Sequence, residues 1–494
     1  MTRYVFMPDD GADRLAVAQL ASALAAPEPQ IFAAASAASA PSAGRRRGKP
    51  PVRIIDVFEP TGIALVEASA QAAVPAAAPP GGTYYPVLNY QTAIAAPRAG
   101  RTKLPRTLGP AGGALFALQL RLSDSGAPVS GAVVHLRLKG STIQLSASSD
   151  AQGNAVFGMR APGVRGAMLL VEPGFQQHWG YMDAAADLDS GDVVTLDAID
   201  LPLAPDVLRK ALTPGRTGDG AGVRIGVIDT GVGPHRDLPQ AVGDHDTSDG
   251  HGTHVAGIIA GRGAASNAGI APDAEIRSYR VFPDRTTGLA PNYEIHKAIE
   301  RAASDGCHLI NLSLKSERLL DPHHDDKVIS RAIRDAADRG VLAIAAAGND
   351  FRRFVSFPAR HPDVLSVSAF GDEAALPSRA YDRWTVSQDR ARGKPDVFFA
   401  NFSNQGIDGT KVDLTAPGAG VVSTVPGDGY APMSGTSMAC PAATGAIARV
   451  LSRQPAILAM PPDRTRMQAM RAAAIAALAP VGFAVAFEGQ GMVS

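Results

Sequence analysis

Val223-Arg224-Ile225-Gly226-Val227-Ile228-Asp229-Thr230-Gly231 decides the fold class. A mostly apolar run ends on a carboxylate and a glycine, without the alternation that would leave one face wet. Comparable runs follow at Leu309–Leu314, Val341–Ala346, Val364–Val367 and Val412–Leu414. Between and after them the period is helical, over His254–Arg262, Asn292–Ser304, Lys327–Arg339, Ser437–Arg453 and Arg464–Leu478. Buried runs alternating with helices predict an α/β domain over 204–494, with a mainly parallel sheet covered on both faces. Reactive groups in such sheets gather at the carboxyl ends of the strands.

Four places at strand ends or helix starts carry chemistry. Asp229 closes a buried run, so its carboxylate needs a partner, either a reacting group or the next turn as a cap. In Asp249-Gly250-His251-Gly252-Thr253-His254 the paired histidines suggest a metal. No acidic residue stands at ligand spacing within that helix and no cysteine is near, so His251 reads as a base and His254 as structural. Ala346-Ala347-Gly348-Asn349 ends a strand in small residues and one amide, the type that donates to an oxyanion without bringing a charge. Met433-Ser434-Gly435-Thr436-Ser437-Met438-Ala439-Cys440-Pro441 places Ser437 at the start of a helix, beside unpaired N–H groups. Alone, Ser437 reads as a plain cap; with the upstream groups it reads as a nucleophile.

The stretches VIDTGVGPHRDL, DGHGTHVAGIIAG, INLSL, AAAGND, FPARHPDVLSVSA, NFSNQGIDGTKVDLTAPG and SGTSMACPAATG occur in that order. Together they resemble the catalytic domain of subtilisin-like serine peptidases (subtilases). The resemblance implies a three-layer α/β domain and a serine endopeptidase working through an acyl-enzyme. It implies a catalytic triad of Asp229, His251 and Ser437, with Asn349 and the Ser437 N–H as the oxyanion hole. It implies that Leu312, Ser313, Leu314, Ala346, Ala347 and Gly348 line the substrate cleft, and that His235 is structural. No cofactor is implied for the chemistry. A structural calcium is common in the family, but only 22 positions separate Asp229 from His251, and no calcium site is identified.

Three positions depart from the pattern. Lys315 stands where a glycine is expected; it narrows the cleft or favours acidic side chains, or else turns to solvent. Asp350 and Ser356 lie near the expected floor of the primary pocket, which would then admit a basic side chain. Cys440 reads as packing.

Upstream, residues 113–203 show short alternating strands separated by turns such as Asp124-Ser125-Gly126, which predicts a small β-sandwich. Residues 1–112 read as a propeptide-like α+β segment. It has a strand over Arg3–Pro8, a helix over Arg14–Ala25 and a low-complexity stretch over Ala33–Pro51. A hairpin follows over Val52–Glu59 and Ile63–Ala68, then a further strand over Thr83–Tyr90 and a linker over Pro105–Gly113. The order resembles the family's inhibitory propeptide, which places self-cleavage near Ala204–Gly220 and makes the chain a zymogen.

The chain has 494 residues, with 47 basic and 47 acidic side chains, so charge gives no case for nucleic acid or an anionic membrane. No apolar run spans a membrane. Asp9, Asp10 and Asp13 make the N-terminus a poor signal peptide, which favours the cytoplasm and leaves secretion open. The only cysteines, Cys307 and Cys440, argue against a disulfide framework. The expected partners are polypeptide substrates and an intramolecular propeptide. The alternatives are a maturation protease with one cognate substrate and a latent peptidase fold used as a binding scaffold.

Overall fold

The computed structural model describes residues 2–9, 52–68, 82–93, 115–140, 144–160, 164–172, 177–245, 249–263, 268–282, 288–317, 322 and 325–494. The helix expected over Arg14–Ala25 and the linkers over Ala33–Pro51 and Pro105–Gly113 lie outside them.

The chain's main body is a three-layer α/β domain around a nine-stranded, mostly parallel sheet. From one edge the strands run Val242–Gly243, Glu275–Arg280, Arg224–Asp229, Leu309–Leu312, Leu342–Ala346 and Val364–Asp372. Leu414–Pro417 adds to the last in parallel, while Lys394–Phe399 and Arg390–Ala391 close the edge antiparallel. The apolar runs follow from burial on both faces. Ile225, Val227, Leu342 and Ile344 enter one apolar cluster, and Ile228, Ala343 and Ala345 enter the other. Successive side chains point to opposite sides, so a strand covered twice is apolar at most positions.

The helices His251–Ala260 and Thr436–Ser452 cover the first face. Asn292–Ser304 and Lys327–Asp338 cover the second, burying Ile295, Ala298, Ile299 and Ala302 from one and Ile329, Ala332, Ile333 and Ala336 from the other. Both sets follow the three-and-four spacing of a helical stripe. Two expectations shift. The first helix starts at His251 rather than His254, because Gly250 takes a left-handed φ of 80° and turns the chain into it. The run Leu309–Leu314 splits: Leu309–Leu312 stays in the main sheet, while Leu314–Ser316 leaves it for a small three-stranded sheet.

Among the described residues, three further sheets lie ahead of this body. Thr2–Pro8, Val52–Phe58, Ile63–Ala68 and Gly82–Pro86 form a four-stranded sheet whose Val5, Met7 and Ile63 pack on Tyr293 and Val328. The Tyr293 hydroxyl and Lys297 both donate to Asp56 Oδ2, at 3.1 and 3.0 Å. Residues 115–196 hold a four-stranded and a three-stranded sheet around one apolar cluster, with Phe116, Leu118 and Leu120 inward at alternate positions. The strand expected over Thr83–Tyr90 is two strands. Gly82–Pro86 belongs to the front sheet, and Asn89–Thr92 pairs with Ala290–Pro291 and Leu314–Ser316.

The stretch that enters the main body is tied down. Asp206 is fully buried: Oδ1 accepts from the Arg209 N–H, and Oδ2 accepts from Arg209 Nη1 and the Val422 N–H at 2.9 and 2.7 Å. Val207, Leu208 and Leu212 lie in the core behind it. Asp206→Ala leaves a buried guanidinium without its carboxylate, which costs about 3–5 kcal/mol. A urea titration should show the midpoint falling accordingly; an unchanged midpoint would mean that Asp206 does not anchor this stretch.

Candidate active site

Asp229 sits at the carboxyl end of its strand, fully buried. Its Oδ1 accepts from the Thr230 N–H at 2.7 Å and from His251 Nδ1 at 2.6 Å. Nδ1 therefore carries the proton, and Nε2 is left as the basic nitrogen. Nε2 is buried and has no hydrogen-bond partner among the described residues. Burial pulls the His251 pKa down, but the charge and hydrogen bond of Asp229, with a smaller push from Asp249, hold it above the usual 6.5. The glycine after His251 serves the backbone: a Cβ on Gly252 would stand 2.3 Å from the Gly231 carbonyl oxygen.

His254, one turn on, has a different role. Its Nε2 lies 3.1 and 3.0 Å from the Val421 and Ala431 carbonyls, and burial drives its pKa down to about 3. It is a neutral packing group. His235 likewise bonds the Gly429 carbonyl. Among the described residues no group of three or more His, Cys, Asp and Glu side chains could hold a metal ion. The calcium raised by the resemblance thus has no residues assigned to it.

Ser437 is the second residue of the Thr436–Ser452 helix. Pro441 lies inside that helix and lacks the N–H that would bond the Ser437 carbonyl. The Ser313 hydroxyl supplies the missing donor at 2.9 Å. In return the Ser437 hydroxyl donates to the Ser313 carbonyl at 2.9 Å. Ser437 is therefore turned toward Ser313 and not toward His251, so the triad expected from the motifs has one of its two hydrogen bonds formed.

Asn349 is fixed by its neighbour. Its Oδ1 accepts from the Thr436 N–H at 3.0 Å and from the Thr436 hydroxyl at 2.8 Å. A backbone N–H can only donate, so the amide has one orientation, with Nδ2 toward the cleft. That Nδ2 donates to the Ala93 carbonyl, which also accepts from the Ser437 N–H at 3.1 Å. The Ala93 N–H donates to the Ser313 carbonyl at 3.2 Å. Thus a peptide carbonyl of the chain itself lies between the two donors expected to form an oxyanion hole.

The strand carrying it is held on both edges. Thr92, Gln91 and Tyr90 pair antiparallel with Leu314, Lys315 and Ser316, and Tyr90 and Asn89 pair with Ala290 and Pro291. Of the expected cleft residues, Ser313 and Leu314 bond this strand. Leu312, Ala346, Ala347 and Gly348 are buried beside the site and belong to or follow the main-sheet strands. Sequence reasoning missed Ala290–Pro291, Thr436 and the inserted Asn89–Ala93. Only the break in alternation at Pro86-Val87-Leu88 hinted that the last of these leaves its sheet.

Lys315 corrects another expectation. It is buried and pairs with Asp350 at 2.8 Å, neither turned to solvent nor offered to a substrate acid. Asp350 also accepts from Ser356 and Asn404, at 3.2 and 3.0 Å, so its carboxylate is already satisfied and gives no reason to expect a basic partner. Cys440 donates to Asn311 Oδ1 at 3.2 Å, and burial pushes its pKa up to about 12, as suits a packing residue. The stretch near Ala204–Gly220, expected to be cut, is anchored by Asp206 while Ala93 occupies the site.

Because the His251 pKa is raised on folding, its pairing stabilises the fold fully below about 6.5 and ceases to as pH climbs through the higher folded value. In a Ser437→Ala background, Asp229→Asn should therefore lower the urea midpoint more at pH 6 than at pH 9. Equal losses at both would show that the two groups are not linked.

The subtilase family matches residues 220–491. Subtilisin Savinase of Lederbergia lenta is 35% identical over 248 residues, 48% of this chain and 78% of its own. An alkaline protease of Alkalihalobacillus alcalophilus is 35% identical over 248 residues, and the match spans 56% of that protein's length. Alkaline elastase YaB of Bacillus sp. (strain YaB) is 32% identical over 279 residues, 54% of this chain and 64% of its own. The chain thus spans little more than half the length of some relatives that it matches. With more than half of its length matched, the chain belongs to the subtilase family of serine peptidases.

Proposed function

We propose that this protein is a serine endopeptidase that hydrolyses peptide bonds through an acyl-enzyme, and that its own residues 1–93 are its first inhibitor and substrate. One observation carries the reading: the Ala93 carbonyl accepts from both the Ser437 N–H and Asn349 Nδ2, on a strand paired at both edges. That is the pose an attacked carbonyl needs.

In this mechanism the Ser437 hydroxyl leaves the Ser313 carbonyl and turns to His251 Nε2. Nε2 takes its proton as Oγ attacks the carbonyl carbon. The oxyanion gathers the two donors that already hold the oxygen. Asp229 steadies the imidazolium through Nδ1. Collapse breaks the C–N bond, His251 returns the proton to the leaving amine, and water then hydrolyses the ester by the same route. No cofactor enters these steps. Since the base must be neutral, activity rises with pH through the elevated His251 value.

The same reading divides the chain. Residues 1–93 block the cleft, and cleavage falls between Ala93 and Ile94 rather than near Ala204–Gly220. Residues 115–196 remain with the peptidase body, as a β-sandwich module whose ligand is open. Their attachment supports this: Trp179 is buried in the main core cluster, and the Gln177 and Met182 N–H groups bond the Tyr430 and Arg379 carbonyls at 3.2 and 2.8 Å.

Purified full-length protein should shorten itself to a chain beginning at Ile94 and digest casein, and Ser437→Ala should do neither. N-terminal sequencing and a gel read both. A fully active chain that keeps its first residues, or one that starts near Ala204, would overturn the assignment of the cut. Inert protein that resists a fluorophosphonate label would favour the scaffold alternative. Asn349→Ala removes a donor to a charged oxygen and should lower kcat on casein by about 100- to 1000-fold.

A further inference from the structure

Tyr90 lies three residues before Ala93, and its side chain is fully buried. Its ring packs in the cluster formed by Ala290, Ile295, Leu312, Leu314 and Ile329. An apolar pocket of that kind would take phenylalanine as readily. The far end of the pocket is not apolar. The Tyr90 hydroxyl donates to Asp326 Oδ2 at 3.0 Å, and Asn292 Nδ2 donates to the same oxygen at 3.0 Å.

Asp326 is itself held from behind. Its Oδ1 accepts from the N–H groups of Val328 and Ile329, capping the Lys327–Asp338 helix. Asn292 opens the Asn292–Ser304 helix, and with residues 1–93 in place its N–H also donates to the Leu88 carbonyl and its Nδ2 reaches the Pro86 carbonyl at 3.3 Å. The carboxylate cannot swing to another partner without giving up the helix cap. It is nearly fully buried, so a side chain that fills the pocket without a donor leaves it short of a hydrogen bond where water is excluded.

We propose that Asp326, positioned by Asn292, is a specificity-determining residue that reads a tyrosine hydroxyl three residues before the residue whose carbonyl is attacked. The inference rests on the peptidase reading above and extends it to other polypeptides. The preferred substrates are extended segments of the form Tyr-x-x-Ala, cut after the alanine, and Asn89–Ala93 is the internal copy of that signal. Discrimination comes from the hydroxyl and not from ring size, because the walls are apolar and only the end is charged.

The test uses the full-length protein after purification and three quenched peptides copying residues 89–98, with tyrosine, phenylalanine or 4-fluorophenylalanine at the Tyr90 position. The fluorinated ring keeps the bulk and removes the donor. Tyrosine should exceed both others by about 10- to 100-fold in kcat/KM, with the cut after alanine confirmed by mass spectrometry. In Asp326→Ser, which keeps a capping hydroxyl but cannot reach the ring, the tyrosine-to-phenylalanine ratio should fall to about one, because the phenylalanine peptide no longer leaves a buried carboxylate short of a hydrogen bond. If that variant does not fold, the wild-type ratios decide alone. Ratios near one with all peptides cut after alanine overturn the tyrosine reading and leave the peptidase reading standing. No cleavage of any peptide and no fluorophosphonate labelling of Ser437 overturn both.

Discussion

A proline in the wrong place holds the site together. Pro441 denies the Ser437 carbonyl its helical partner, and an unpaired carbonyl at this depth would be costly. The Ser313 hydroxyl removes that cost and so binds the first turn of the helix to the end of the Leu309–Leu312 strand. Asn311 adds to the same seam, donating to Ser313 and accepting from Cys440 and Thr444. The position of Ser437 is therefore set by two elements from opposite sides. Its hydroxyl and its N–H then face a fixed place in the cleft. Thr436 extends the constraint to Asn349, so both donors to the Ala93 carbonyl hang on one helix end.

The front sheet makes use of this rigidity. It docks through Val5, Met7 and Ile63 on Tyr293 and Val328 of the two helices that cover the second face, and Asp56 pins it through Tyr293 and Lys297. From there the chain has only Val87 and Leu88 before it enters the cleft as a strand. Strand addition gives backbone hydrogen bonds on both edges, whatever the side chains are. Beyond that pairing, the Ala93 carbonyl meets the two donors and the Tyr90 side chain meets Asp326.

Much of the body was legible beforehand because burial on both faces leaves an unmistakable pattern, as in Leu342–Ala346. The motif residues were legible for the same reason: small residues and glycines crowd where backbones touch. What escaped were relations between distant segments. Nothing in Asn89–Ala93 marks it as a strand of another sheet, since its partners lie some two hundred residues away. Lys315 read as a cleft contact or as a side chain turned to solvent because a lone lysine is normally exposed, and its partner Asp350 is 35 positions on. The rotamer of Ser437 was equally invisible, for it depends on the hydroxyl's choice between the Ser313 carbonyl and His251.

The two-edged pairing of Asn89–Thr92 bears on timing. On the proposed reading, breaking the bond after Ala93 severs one covalent link but leaves both ladders, the Tyr90 anchor and the docked front sheet in place. Scission and unblocking are then separate events, and the second is a dissociation that must undo a whole interface. A population of such molecules would switch on with a lag set by that off-rate, and a second molecule able to digest the front sheet would shorten the lag for its neighbours.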